Sequence, residues 1–381
     1  MSGSEQAIHI TQRVVFNGWR NYKLAVGGSL HQAPNGDLLC FWLSGSNGEP
    51  AADNGMLLAR STDAGRTWSE PTEWVCAGDE AAAVKLMHTT DDGRLIAFGN
   101  WWPYEKSYTV QRYFRIESKD AGRTWSEPWP FQVRESQNIS LAGPVTQLDN
   151  GDYIFPTTFF EKRRTPLTGA PEALALAEDE TAAASLPPAP PGHEAPEKFG
   201  THLYGCSVFI ASEDDLSDMQ EHGQISNRPL GLLEPSLIQL KDGRIVMLMR
   251  AEWGGFLWRT ESHDAGRTWT KARETDIPNP SNKARLARLA DGRIALIHNA
   301  SGGQRGRRGP RSPLSIWISD DEMDTWNLKV DIATRTPLPS GQWRAGPDML
   351  SYPCPLVLGG KLFFGYDRNR REVVFAECNI G

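Results

Sequence analysis

Long apolar runs are missing from this chain of 381 residues. None approaches the roughly 20 residues that a membrane span needs, so no membrane partner is expected. The opening segment, MSGSEQAIHITQRVVF, lacks a basic stretch followed by an apolar one, so no secretory signal is read. Cysteine is scarce: the five, at positions 40, 76, 206, 354 and 378, are scattered, odd in number and without metal-ligand spacing. That usage predicts reduced, mostly buried thiols in a cytoplasmic protein. No His/Cys cluster has ligand spacing either, so no metal or other cofactor is implied. Basic charge is not in excess. The formal net charge of −7 argues against a nucleic-acid partner.

What the chain does have is repetition. The phrase SxDAGRTW occurs at Ser61–Trp68, Ser118–Trp125 and Ser262–Trp269. A worn copy spans Ser319–Trp326, with Met323 in place of the glycine. Each copy follows an apolar, β-branched run and reads as a tight turn between strands. A second signal is a turn of the form (N/D/G)-G-(D/R/K) at Asn35, Asp92, Asn150, Asp242, Asp291 and Gly359. The first two gaps are 57 and 58 residues, and the larger third gap holds an Ala/Pro/Glu-rich insertion at about 163–199. Six units, each with two hairpins, predict an all-β, six-bladed β-propeller of four-stranded antiparallel blades forming a single domain. The insertion reads as a surface excursion, with a lid over the axial pocket or a dimer contact as the alternatives. Oligomeric state is left open.

In a propeller the innermost strands line an axial channel, and a hairpin places residues equidistant from its turn side by side. In EPSLIQLKDGRIVMLMR, Glu234 and Arg250 each lie eight residues from Asp242. They are expected to meet at the open end of the fourth blade's first hairpin. An ordinary ion pair would account for them in an arbitrary hairpin.

Together these features resemble the sialidase superfamily, whose Asp-box the repeated phrase matches, over about Tyr22 to Ala376. The Asp-box lies on the outer rim, so it speaks for fold and not for chemistry. The resemblance implies that Glu234 activates a tyrosine nucleophile and that Arg250 belongs to a cluster holding a sugar carboxylate. A phenol suits this chemistry because an anionic nucleophile would be repelled by that carboxylate. Arg suits the clamp because its planar fork bonds a carboxylate bidentately. Tyr352, opening the sixth blade in SYPCPLVLGGK, matches the nucleophile, with a buried, hydrogen-bonded Tyr as the plain alternative. Arg311 matches a further clamp arginine, with Arg308 as fallback and Arg305 and Arg307 read as solvated. Asp53, in the loop SGSNGEPAADNG, matches the acid/base, and Glu49 is the other carboxyl there. Arg368, in YDRNRR, is expected across the sixth hairpin from Tyr352. Trp101 is expected near the Glu234 end as a sugar-stacking or core residue. His31 and His88 are expected at the opposite end.

The sequence departs from the family in its first blade. There is no Phe-Arg-Ile-Pro phrase, and counting back from Asn35 puts Val26 where the first clamp arginine belongs. Lys23 lies nearby but lacks the fork, and Arg20 and Arg344 are the candidate replacements. The implied function is exo-hydrolysis of a terminal acidic sugar, sialic acid or a relative, with an acidic oligosaccharide or glycoside as partner. Two alternatives stand beside it: a polysaccharide lyase acting on a uronate glycan, and a non-catalytic glycan-binding propeller.

Overall fold

A computed structural model describes residues 8–380, apart from 47, 50, 77, 79, 103–110, 132–137, 163–166, 175, 176, 178, 179, 192–201, 227–230 and 335–348. Six antiparallel sheets make a six-bladed propeller. Blade one runs outward through Val26–Gln32, Leu38–Ser44, Gly55–Ser61 and Thr72–Val75. Blade four runs through Leu232–Gln239, Ile245–Ala251, Gly255–Ser262 and Arg273–Asn279. Blades two and five repeat this order, from Ala81–Thr89 and from Arg285–Arg288 respectively. In blade three the inner strand is split into Ile139–Leu141 and Thr146–Gln147. Pro144 lies in the break, where its missing N–H cannot serve the ladder.

Blade six is assembled from both ends of the described chain. Its inner three strands are Leu350–Leu358, Lys361–Arg368 and Glu372–Ile380, and its outermost strand is Ile8–Phe16, paired from Ile8↔Ile380 onward. This closure joins the two ends of the described chain in one sheet and makes Ile8–Phe16 the outer edge of the blade.

The repeated phrases act between blades. In each copy the Ser hydroxyl accepts the amide two residues beyond the Asp, as from Gly65 to Ser61 at 2.8 Å, while the Asp accepts the Thr amide and hydroxyl, as Asp63 does from Thr67. The phrase glycine then presses on the preceding blade. A Cβ at Gly65 would lie 2.3 Å from Phe375, and one at Gly266 would lie 2.5 Å from Ile154. Met323 adopts the same left-handed turn, φ 73°, and buries its side chain between blades four and five. The Trp of each phrase packs at the same seams, Trp68 on Phe375 and Trp125 on Trp74.

The described part of the insertion holds two short helices, Pro171–Leu174 and Glu180–Ala184. Leu167, Leu174 and Ala183 form a small buried cluster against Trp253 of blade four. None of its described residues lines the axial cavity.

Candidate active site

The inner strands are not regular ladders. In blades one, four and six the register slips at the same place, between Val26 and Ser29, Leu233 and Ser236, and Ser351 and Cys354. The first bulged residues are Gly27, Glu234 and Tyr352, all left-handed, with φ of 78°, 47° and 56°. For Glu234 and Tyr352 that conformation costs on the order of 1–2 kcal/mol each. A bulge also frees a backbone N–H that must find another acceptor. The Glu234 amide donates to Thr158 Oγ1 of blade three at 2.9 Å, and the Gly27 amide donates to Asp367 Oδ2 of blade six at 2.9 Å. The bulge re-aims its side chain, here into the channel.

The channel is a cavity of about 1320 Å³ lined by all six blades. Near one end, Arg250 Nη1 lies 2.7 Å from Glu234 Oε2, and Arg250 Nη2 lies 3.1 Å from Glu252 Oε2. Tyr352 also lies against the Arg250 guanidinium. Arg311 sits 5.5 Å from the Tyr352 ring centre and Lys283 Nζ sits 4.9 Å from it. Arg311 is held by the Ser281 carbonyl at 3.1 Å and the Ser351 hydroxyl at 3.2 Å. Arg308 stacks on Trp253 and shares Glu252 with Arg250.

Electrostatics follow from this crowding. Burial is the largest single influence on Glu234 and opposes its ionisation. The summed attraction of Arg250, Lys283, Arg311 and Arg285 outweighs it and holds the carboxyl below its ordinary range. Glu234 is therefore a carboxylate at neutral pH. Burial, with Arg250 and Arg311 adding repulsion, pushes Arg308 down to about 10. Within a net acidic protein, the pocket gathers Lys85, Arg250, Lys283, Arg285, Arg308, Arg311 and Arg370, against Glu49, Glu234 and Glu252. Such a field draws anionic ligands.

Of the residues singled out in the sequence, Glu234, Arg250, Arg311, Tyr352 and Glu49 line this cavity together. Glu49 Oε2 pairs with Arg370 Nη1 at 2.9 Å. Asp53 does not join them. It is exposed and accepts the Ser46 amide at 2.7 Å, so it serves its own loop. Lys23 is exposed and off the cavity. Arg368 is paired across from Leu350, and its guanidinium turns away to Glu372. The hairpin register is the cause: with Leu358 opposite Lys361, it is Asp367, not Arg368, that comes beside Tyr352's strand opening. Trp101 packs into the seam between blades one and two, against Phe114 and beneath Arg112. Arg20 stacks on Trp19 in solvent, 4.1 Å from its ring centre. Arg344 lies outside the described residues. Arg305 pairs with exposed-side Glu274. His31 and His88 line the far end, where His31 Nε2 lies 2.8 Å from Thr89 Oγ1.

The position that the bulges make equivalent to Glu234 and Tyr352 in blade one is Gly27, not Val26. Glycine there leaves the pocket wall open, 3.8 Å from a hypothetical Cβ to Tyr352 Cβ. Sequence reasoning also missed Lys85, Glu252, Lys283, Arg285, Asp367 and Arg370. Lys283 was within reach of the counting rule, since it lies eight residues before Asp291, as Glu234 does before Asp242.

Comparisons with known proteins agree with this architecture. Residues 36–363 match the BNR repeat-like domain family. A sialidase of Micromonospora viridifaciens is 24% identical over 367 residues, covering 89% of this chain and 51% of that protein. The chain thus spans about half the length of that curated relative. A protein of unknown function from Dyadobacter fermentans superposes with a TM-score of 0.71 at 12% identity, covering 98% of this chain and 99% of that one. A Hadza microbial sialidase superposes with a TM-score of 0.70 at 16% identity, covering 96% and 68%. With its repeats, its six blades and this family match, the chain belongs to the BNR repeat-like family of the sialidase superfamily.

Proposed function

We propose that the chain is an exo-acting glycoside hydrolase for a terminal acidic sugar, sialic acid or a relative, working by a retaining Tyr/Glu mechanism. The observation that carries this reading is the convergence of Tyr352 and Glu234 on Arg250, both presented by matching bulges in a cation-rich cavity. Arg250 and Arg311 flank Tyr352 and would hold the sugar carboxylate. Glu234, already ionised, takes the Tyr352 phenolic proton as the oxygen bonds the anomeric carbon and the glycosidic C–O bond breaks. Glu49, the loop carboxyl of blade one that reaches the cavity, delivers a proton to the departing oxygen, which requires its pair with Arg370 to open and the carboxyl to take up a proton from solvent as substrate enters. Water then attacks the same carbon and gives a proton to the Glu49 carboxylate, the bond to Tyr352 breaks, and Glu234 returns its proton to the phenolate as the sugar acid leaves. The sialidase names borne by the relatives support an acidic sugar as substrate.

Gly27 and Lys283 favour a second reading. No arginine stands at the first-blade position, while an ammonium lies beside the Tyr352 ring. A uronate lyase uses a tyrosine or histidine base and a cation facing the carboxylate, roles that Tyr352 and Lys283 would take. The test is incubation with a panel of acidic glycosides and uronate oligosaccharides, reading released sugar acid and ultraviolet absorbance together. Released acid without absorbance, abolished by Tyr352→Phe, is the expected result. Rising absorbance from a new conjugated double bond establishes the lyase instead.

A further inference from the structure

Around Tyr352 and Glu234 the channel holds more positive charge than a single carboxylate needs. Lys85 stands in the bulge of blade two's inner strand, between Val84 and Leu86, and Lys283 stands in blade five at Glu234's distance from the turn. Arg285, two residues on from Lys283, points Nη1 to the Pro235 carbonyl at 2.7 Å. All three line the cavity. Among the described residues no carboxylate lies within 4 Å of Lys283 or Arg285, and Glu234 is already committed to Arg250 at 2.7 Å.

Two cations crowded into one cavity, Lys283 half-buried and Arg285 buried, with no carboxylate close to either are costly. The strain is legible on Lys283, whose pKa burial and Arg285 push from 10.5 down to about 8, with Glu234 pulling the other way. It remains an ammonium at neutral pH. The cavity, at about 1320 Å³, exceeds the roughly 300–1,000 Å³ typical of a small-molecule site, so there is room below a sugar ring.

We propose that Lys283, Arg285 and Lys85 form a second anion subsite, beside Tyr352, that takes an oxyanion group: a sulfate, a phosphate or a second carboxylate. The group arrives as a second acidic substituent on the substrate or as a free ion. This rests on the cavity's charge and shape, not on the reaction, so its readout is binding and does not require turnover.

The test titrates the whole protein with inorganic sulfate against chloride at matched ionic strength, following thermal stability and calorimetric heat. Sulfate should raise the melting temperature of the wild type above the chloride control. Lys283→Met should weaken sulfate binding by about tenfold or more, the loss of one charge-assisted contact. In low-salt chloride the same variant should be at least as stable as the wild type, which separates lost binding from lost folding. Lys23→Met, on the exposed surface, should respond as the wild type does. An equal sulfate response in wild type and Lys283→Met, or none in either, overturns the subsite. Repeating the titration under saturating acidic sugar separates the sources. Displacement of sulfate only by a sugar bearing two acidic groups assigns the subsite to the substrate. Sulfate binding unaffected by either sugar assigns it to a free ion. Displacement by a sugar with one carboxylate makes the cluster the ordinary carboxylate clamp and refutes a second subsite.

Discussion

Asp367 gives the most quantitative prediction. It lies opposite Ser351 in blade six, the register place that Arg250 holds in blade four, and it is fully buried. Burial raises its pKa from 3.8 to about 7, against the lowering pull of Arg370, the Gly27 amide and Arg311. An acid raised in this way keeps its proton in the folded state at pH values where the unfolded chain has lost it. The stability that protonation contributes is complete below about pH 4 and is lost as pH climbs to about 7. At about 1.4 kcal/mol for each pH unit, the loss is on the order of 4 kcal/mol. Asp367→Asn keeps the shape and an acceptor for the Gly27 amide but cannot ionise. The two proteins should therefore match near pH 4, and the variant should be the more stable by several kcal/mol above pH 7. Denaturant unfolding of both at close pH intervals from 4 to 8 measures this. Taking the difference cancels other buried groups, such as His31 and His298, whose neutral forms burial also favours. A difference that is flat with pH refutes the reasoning. A variant less stable at pH 8 shows instead that Arg370 and the Gly27 amide hold Asp367 as a carboxylate.

The two loop carboxyls of blade one should separate cleanly. Glu49→Gln should lower kcat on glycosides with poor leaving groups by about 10²–10⁴, the usual reach of a general acid, and much less on activated aryl glycosides that need no proton. Asp53→Ala should leave the turnover number within about twofold and cost about 1 kcal/mol of stability through the lost Ser46 amide bond, read by thermal denaturation; a collapse of turnover would place Asp53 in the chemistry after all.

The blade count was legible because turn chemistry repeats: the six (N/D/G)-G-(D/R/K) turns each need a glycine at positive φ, a conformation that other residues adopt only under strain. Glu234 and Arg250 were legible because a hairpin makes distance from the turn into proximity. The same rule held in blade four although its inner strand bulges, and applied evenly it reaches Gly27, eight residues before Asn35, and Asp367 across from Tyr352. Val26 and Arg368 each stand one residue off that register. A bulge has no strong mark in sequence, since Gly-Gly, Glu-Pro and Tyr-Pro all supply one here. The outer strand Ile8–Phe16 carries no turn phrase, so the two-ended closure of blade six went unread. Trp101 shows another limit, because one aromatic side chain suits a sugar face and a blade seam equally well. Glu252, which is 2% exposed and bridges Arg250 and Arg308, became visible only once the fold had brought those arginines together.

The most direct test of the central claim is to look for the covalent intermediate. The protein would be incubated with an acidic sugar bearing fluorine beside the anomeric carbon and a good leaving group, then digested and analysed by mass spectrometry. The account predicts one sugar adduct, on the peptide containing Tyr352, slowed in Glu234→Gln and absent in Tyr352→Phe. An adduct on another residue, or none while unsaturated uronate accumulates from a glycan substrate, would contradict it.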